Sequence, residues 1–362
     1  MVSIVKNFCL VYLILCTSLS LAQTKEELAL SKGLEAIKLM DSGNFDEALK
    51  LLNEAKKLDP KNINFPYEIA YAQYAQKNYK GAIKTLGALL KHKDINPQVY
   101  QLLGNSYSMN KEREKAIATY EKGLELFPNS GRLYLERGNM ELFAEEYIKA
   151  LGFYEKGIAV DPKFPSNYYW AAKIYMNSSE EVWGMIYGEI FMNLERNSNR
   201  TSEISKMLFD TYQSEIQISG DTTMSVSFSK NASIQVTDLS DLENLKLPFG
   251  VGAYEPTLLM SLVGVKQIDL ESLDAIRTSF LKNYFASGMN DKYPNVLFEY
   301  QKKIQELGHL SAYNHWLLMM GDEDAFVNWR AENEDAWMAF VKWYSENGLK
   351  LSENSRFHSS MY

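Results

Sequence analysis

A mainly all-α fold is predicted for this 362-residue chain: an α-solenoid of helical hairpins, then a mostly helical C-terminal region with one small β-hairpin. Three observations predict it. Small residues recur at a fixed 34-residue spacing between 36 and 150. Prolines close three of the units so marked, as expected of a residue that cannot continue a helix. Beyond residue 201 apolar side chains mostly recur every three or four places, the helical period. They alternate with serine only around 224–229.

The N-terminus reads as an export signal. Met1 to Asn7 carries one positive charge, Lys6, and an apolar stretch follows from Phe8 to about Leu21. Ser20 and Ala22 put small residues three and one before a cut near 22, as a signal peptidase requires. The stretch is short for a membrane span, which takes ~20 apolar residues. An uncleaved anchor is the rival reading. Both cysteines, Cys9 and Cys16, lie inside this segment. A mature chain from about Gln23 therefore forms no disulfide, cysteine zinc site or thiol nucleophile. Leu15 before Cys16 argues against lipidation. A cysteine-free exported chain suits a periplasmic or secreted location.

The repeats come next. Ala48, Ala82, Ala116 and Ala150 stand at that fixed spacing, and so do Ala36, Ala70, Gly104 and Gly138. Ala55, Gly123 and Gly157 mark a third such position. Two antiparallel helices approach closely only where small residues sit at the crossing. Leu52, Leu86, Tyr120 and Tyr154 fill one repeat position with bulk. Pro60, Pro128 and Pro162 end their units, and Asp94 stands where the second unit lacks its proline. Units fall at 29–62, 63–96, 97–130 and 131–164. A degenerate fifth, 165–198, carries Tyr168, Ala171, Ala172 and Tyr175, with Gly184 in its second helix. One hairpin cannot bury its apolar face alone, so neighbours must stack. The apolar run Met185 to Leu194 asks for a cover from beyond the repeats.

This pattern resembles the tetratricopeptide repeat family over about 29–196, under half of the chain. The third unit matches best, with Tyr100, Leu103, Gly104, Tyr107, Ala116, Tyr120, Gly123 and Pro128 at the signature places. The fourth follows with Tyr134, Gly138, Ala150, Tyr154, Gly157 and Pro162. The resemblance implies a right-handed superhelix that grips a polypeptide on its concave face. It also implies that the second, fifth, ninth and twelfth residues of each first helix point inward. Those are Asn64, Tyr67, Tyr71 and Tyr74, then Gln98, Gln101, Asn105 and Ser108. Arg132, Leu135, Asn139 and Leu142 follow, then Ser166, Tyr169, Lys173 and Met176. Tyrosine offers a rigid ring with a hydroxyl, and asparagine both donates and accepts, which suits a peptide backbone. The candidate groove set is Tyr67, Tyr71, Tyr74, Gln101, Asn105, Arg132, Asn139, Tyr169 and Lys173. One family subtype clamps a terminal carboxylate with lysine and asparagine in its first unit. Gly33 and Ile37 occupy those places here, so that subtype is not supported.

The region 201–362 resembles no family. Ile204, Leu208, Tyr212 and Ile216 mark a helix over 201–217. Met224, Val226 and Phe228 alternate with serines, and Ile234 and Val236 alternate after them, so a β-hairpin is expected at about 222–237. Leu247 to Gly252 reads as a loop, with a helix from Glu255 to Leu262. Leu270, Leu273, Ile276, Phe280 and Tyr284 form a stripe after Asp269, an N-cap. Val296 to Leu307, His309 to Met320, Asp322 to Trp329 and Glu334 to Tyr344 are further helices.

Composition bounds the function. Apolar residues make up 46% and the net charge is −8, with both signs mixed. That opposes nucleic-acid binding, which needs a basic face, and gives no pull toward anionic membranes. No catalytic set is assigned. His309 and His315 sit six apart, about 120° around a helix, not at ligand spacing. Ser227 to Lys230 matches a four-letter serine–lysine pattern but lies in a strand without companion motifs. Acidic pairs such as Glu145–Glu146 and Glu180–Glu181 read as solvated ends of helices. Trp316, Trp329, Trp337 and Trp343 fall at helical spacing and read as core. Asn177, Asn199 and Asn231 begin Asn-x-Ser/Thr triplets, which matter only where such sites are glycosylated. The expected function is therefore an exported scaffold or adaptor binding a protein or peptide, without cofactor or metal, in envelope or secretion complex assembly. The alternatives are an enzyme docked through its repeats, and a carbohydrate-binding module built on the tryptophans.

Overall fold

The computed structural model describes residues 24–219, 223–230, 247–352 and 357–361. The proposed export signal lies outside them. Among the described residues stand 18 α-helices and one two-stranded sheet, so the fold is mainly α. A division into two compact units falls between Lys122 and Gly123.

The first unit is built of hairpins: α1 (Lys25–Asp41) with α2 (Phe45–Leu58), then α3 (Asn64–Ala75) with α4 (Tyr79–Leu89). Next come α5 (Pro97–Met109) and α6 (Arg113–Leu126), the helix in which the division falls. Thr24 caps α1 through a reciprocal pair with Glu27, and Asn96 caps α5 ahead of Pro97, both satisfying orphan N–H groups. The small residues meet the close approaches the spacing demands: Ala36, Ala48, Ala70, Ala82 and Ala116 are completely buried.

The repeat register is also written in the backbone. Gly43, Lys77, Lys111 and Glu145 all have positive φ, between 60° and 80°. Each joins the first helix of a hairpin to the second. The following N–H reaches back five places each time: Asn44 to Leu39, Asn78 to Gln73, Glu112 to Tyr107 and Glu146 to Glu141, at 2.8–3.0 Å. Only the first turn uses glycine, so three bulkier residues bear left-handed strain.

The second unit continues with α7 (Gly131–Leu142), α8 (Tyr147–Val160), α9 (Pro165–Tyr175), α10 (Glu181–Leu194) and α11 (Asn199–Glu215). Every residue of α10 from Val182 to Asn193 is buried, which is why its apolar run needed a cover. Part of that cover is α11. It starts one repeat length after α9 and so keeps the spacing without the signature. Strand β1 (Ile216–Ser219) follows directly and pairs antiparallel with β2 (Thr223–Val226), Ile216 opposite Val226. The partner expected for β2, Ile234 to Val236, lies outside the described residues. Instead its partner precedes it, because the end of the expected 201–217 helix is already extended at Ile216. After β2 the chain clips onto the start of α10. Val182 N–H donates to Phe228 O at 3.0 Å, and Lys230 N–H to Ser179 O at 2.9 Å.

A π-helical turn at Gly250–Tyr254, where the sequence predicts a loop, leads into α12 (Glu255–Met260). Then come α13 (Leu270–Ala286), α14 (Met289–Lys292), α15 (Val296–Glu306), α16 (Leu310–Leu318), α17 (Glu323–Glu332) and α18 (Glu334–Glu346). Asp269 caps α13 as expected, and Asp322 caps α17. One apolar cluster runs from Leu135 to Phe357 through this unit. Among the described residues, no helix is long and apolar enough to cross a membrane.

Candidate functional site

The positions expected to face inward carry rings and aliphatic chains in the first two repeats, at Leu30, Ile37, Tyr67, Tyr71 and Tyr74, and amides in the third, at Gln98, Gln101 and Asn105. Tyr71 is 45% exposed. Tyr67 and Tyr74 are half-buried against the core below, and Tyr74 meets Tyr79 edge-on at 5.5 Å. The same arithmetic, carried back by one repeat length, adds two positions absent from the candidate set. Leu30 and Ile37 are the first repeat's counterparts of Asn64 and Tyr71, and they are 56% and 37% exposed. The missing signal was only the subtraction. Gly33, between them, lets Phe65 in: a Cβ there would lie 2.7 Å from Phe65 Cε1.

Further along, the candidate groove residues are tied into the fold. Tyr120 presses its ring on Gly104, and its hydroxyl donates to Asn105 Oδ1. In the second unit Tyr154 repeats this against Gly138 and donates to Asn139 Oδ1 at 2.9 Å. Asn139 Nδ2 is 3.3 Å from Glu136. Each amide thus has its carbonyl engaged by a tyrosine of its own hairpin. Gln101 is half-buried on α5. Arg132 lies over the Phe164 ring at 5.7 Å.

On α9, the positions expected to face inward meet α11. Ser166 Oγ accepts from Arg200 at 3.1 Å. Tyr169 is buried and donates to Glu203, while Lys173 Nζ donates to the same carboxylate at 2.6 Å. Arg200 covers the Tyr169 ring at 4.9 Å. Burial and the Glu203 bond raise the Tyr169 pKa. Burial would raise Glu203 as well, but the bonds from Lys173 and Tyr169 outweigh it and hold that carboxyl below its usual range. Tyr169 and Lys173 are therefore partners of α11, Tyr169 buried and Lys173 half-buried.

The helices beyond α11 join α10 and α11 in a buried polar network. Glu189 Oε1 accepts from Arg277 at 2.7 Å, from the Tyr313 hydroxyl at 2.7 Å and from Gln301. Arg277 also donates to Tyr212 at 3.0 Å and to Asn314 at 2.8 Å. Asn193 joins through Tyr313 and Tyr344. A cavity of about 20 Å³ beside Glu189 and Arg277 has room for about one water. That is a structural network's void, too small for a substrate.

The C-terminal tryptophans pack against other aromatic rings. His315 lies on Trp329 at 4.0 Å and its Nδ1 meets Ser311 O at 2.8 Å. Burial lowers its pKa. Trp343 stacks on Tyr300, Trp316 meets Tyr344, and Trp337 meets Phe326. Among the described residues, no group of three His, Cys, Asp or Glu could hold a metal ion.

Models of the tetratricopeptide repeat match residues 39–106 and 97–130. The segment 39–130 is thus a run of tetratricopeptide repeats. No curated protein matches the chain. Solved structures similar to it include TTC0263, a tetratricopeptide repeat protein of Thermus thermophilus, at 17% identity and a TM-score of 0.42, covering 50% of this chain and 98% of that one. PilF of Pseudomonas aeruginosa is similar at 17% identity and 0.44, over 52% and 85%. MamA of Desulfovibrio magneticus RS-1 is similar at 17% identity and 0.36, over 48% and 98%. These likenesses say nothing of function.

Proposed function

We propose, from a chain whose residues 39–130 are tetratricopeptide repeats, that this protein is an exported scaffold that grips a polypeptide through its first two repeats. One observation carries the reading. Leu30, Ile37 and Tyr71 are exposed at positions expected to face inward, whereas Asn105, Asn139 and Lys173, the later counterparts of Ile37 and Tyr71, are bonded within the fold. Exposed apolar side chains placed in register cost solvation unless a partner covers them. The partner is a segment with apolar side chains on one face, extended or helical. Export rests on the apolar stretch before Leu21 and the small residues at 20 and 22. No reaction is assigned to 201–362; the polar network it forms with Glu189 of α10 leaves a water-sized void.

A photo-crosslinking amino acid at position 71, and at the exposed Lys50 as control, tests this in the native cell. Discrete polypeptide adducts from position 71 and none from 50 are expected. Equal patterns from both sites would remove the groove from the account. Recovery of the adducts from a cytoplasmic fraction would remove export.

A further inference from the structure

A second groove opens in the first unit, between the end of α2, the turn from Pro60 to Ile63, and α4. Its volume of about 460 Å³ falls within the ~300–1,000 Å³ typical of ligand clefts. None of its lining residues is an inward repeat position. Its local cause is a break in the repeat. Helix α4 ends at Leu89, three places before the counterpart of α2's last residue, Leu58. The chain from Leu90 then runs as a loop and brings His92 to the groove.

The lining has one sign of charge. Lys56, Lys84 and His92 supply its ionisable groups, with no carboxylate among them, in a chain with 46 acidic residues against 38 Lys and Arg. Both lysines are exposed. Among the described residues neither holds an ion pair, unlike Lys32 with Glu54. His92 Nδ1 lies 3.8 Å from Asp94, beyond the lining. Ile63, Pro66 and Leu89 are buried and give the groove an apolar floor.

We propose that this groove binds an acidic peptide segment, with carboxylates against Lys56 and Lys84 and an apolar side chain on the Ile63–Pro66–Leu89 floor. Two lysines on an apolar floor suit alternating acidic and apolar residues. A polyphosphate needs a wider basic face than two lysines supply.

Fluorescence anisotropy on the full chain at low salt tests it. The probes are a rhodamine-labelled hexapeptide of alternating Glu and Leu, its Lys and Leu counterpart, and a short oligothymidylate. The Glu peptide should bind best and weaken with added salt. Lys56→Glu with Lys84→Glu should weaken it about tenfold or more, since attraction becomes repulsion twice. Lys56→Arg with Lys84→Arg should retain it, and so should Tyr71→Ala. Circular dichroism checks that the variants fold. The proposal is overturned by no binding of the Glu peptide, by equal binding of either other probe, or by an unchanged affinity in the charge-reversed variant. Loss of binding in Tyr71→Ala would also overturn it, by placing the peptide at the inward positions.

Discussion

Replacing Gly104 with alanine drives a methyl group into the Tyr120 ring. An ideal Cβ at 104 lies 2.1 Å from Tyr120 Cε1, so the ring must move by more than an ångström. Overpacking of this kind costs about 1–3 kcal/mol. Alanine recovers about 0.8–1 kcal/mol of helix propensity, so the single substitution nets a loss of up to about 2 kcal/mol. The sharper quantity is the coupling with Tyr120→Leu. The first two repeats pair Ala36 and Ala70 with Leu52 and Leu86, all buried. Alanine with leucine is thus a combination this fold already uses. Tyr120→Leu alone loses the bond to Asn105, worth about 0.5–1.5 kcal/mol, and leaves Gly104 uncovered. With alanine already at position 104 it relieves the clash instead. The propensity change is common to both backgrounds and cancels in a double-mutant cycle. A coupling of about 1–3 kcal/mol is expected. Urea unfolding followed by far-UV circular dichroism measures it in the four proteins. All six tryptophans lie at or beyond 170, so their fluorescence, recorded in parallel, reports the second unit. A coupling below about 0.5 kcal/mol, the range in which independent sites simply add, would refute the reasoning.

Three other outcomes are expected. Glu189→Leu strips Arg277, Gln301 and Tyr313 of a shared acceptor and should destabilise by about 3–5 kcal/mol, read from the tryptophan transition. Arg277→Met in the same chain should restore most of that, and no restoration would count against the network. Burial, with Glu215 adding to it, raises the Glu181 pKa to about 7 from 4.5. A carboxyl raised in the folded state stabilises at low pH and loses that contribution as pH rises through about 7. The urea midpoint of the wild type should therefore fall from pH 5 to 8 relative to Glu181→Gln, and a relative rise would contradict the assignment. Lys77→Gly and Lys111→Gly each remove left-handed strain of about 1–2 kcal/mol at a backbone-entropy cost of about 0.5–1 kcal/mol. Each should raise the thermal midpoint, and a lowered midpoint would show that those turns are not strained.

The repeats were legible because each carries its own record of packing. A small residue on one helix and a large one sixteen places later, as at 104 and 120 or 138 and 154, is a volume constraint visible in sequence. The strained turns at 77, 111 and 145 were not legible, since lysine and glutamate do not announce positive φ. Nor was the fate of the inward positions. Asn105, Asn139, Tyr169 and Lys173 have residue types that suit a peptide. Their bonds go instead to Tyr120, Tyr154 and Glu203, partners that periodicity alone does not assign. One helix start beyond 201 followed from capping, at Asp269. The partner of β2 did not, because Ile216 fits a helical stripe and a strand start equally well.

The affinity of the polypeptide crosslinked at position 71, measured with two variants, tests the central claim most directly. One variant carries Leu30→Ser, Ile37→Ser and Tyr71→Ala, all at exposed positions where stability changes should stay within about 0.5 kcal/mol each. The other carries Asn139→Ala and Lys173→Ala. Binding should be lost in the first and stay near wild type in the second. Retained binding in the first, with loss in the second, would contradict the account.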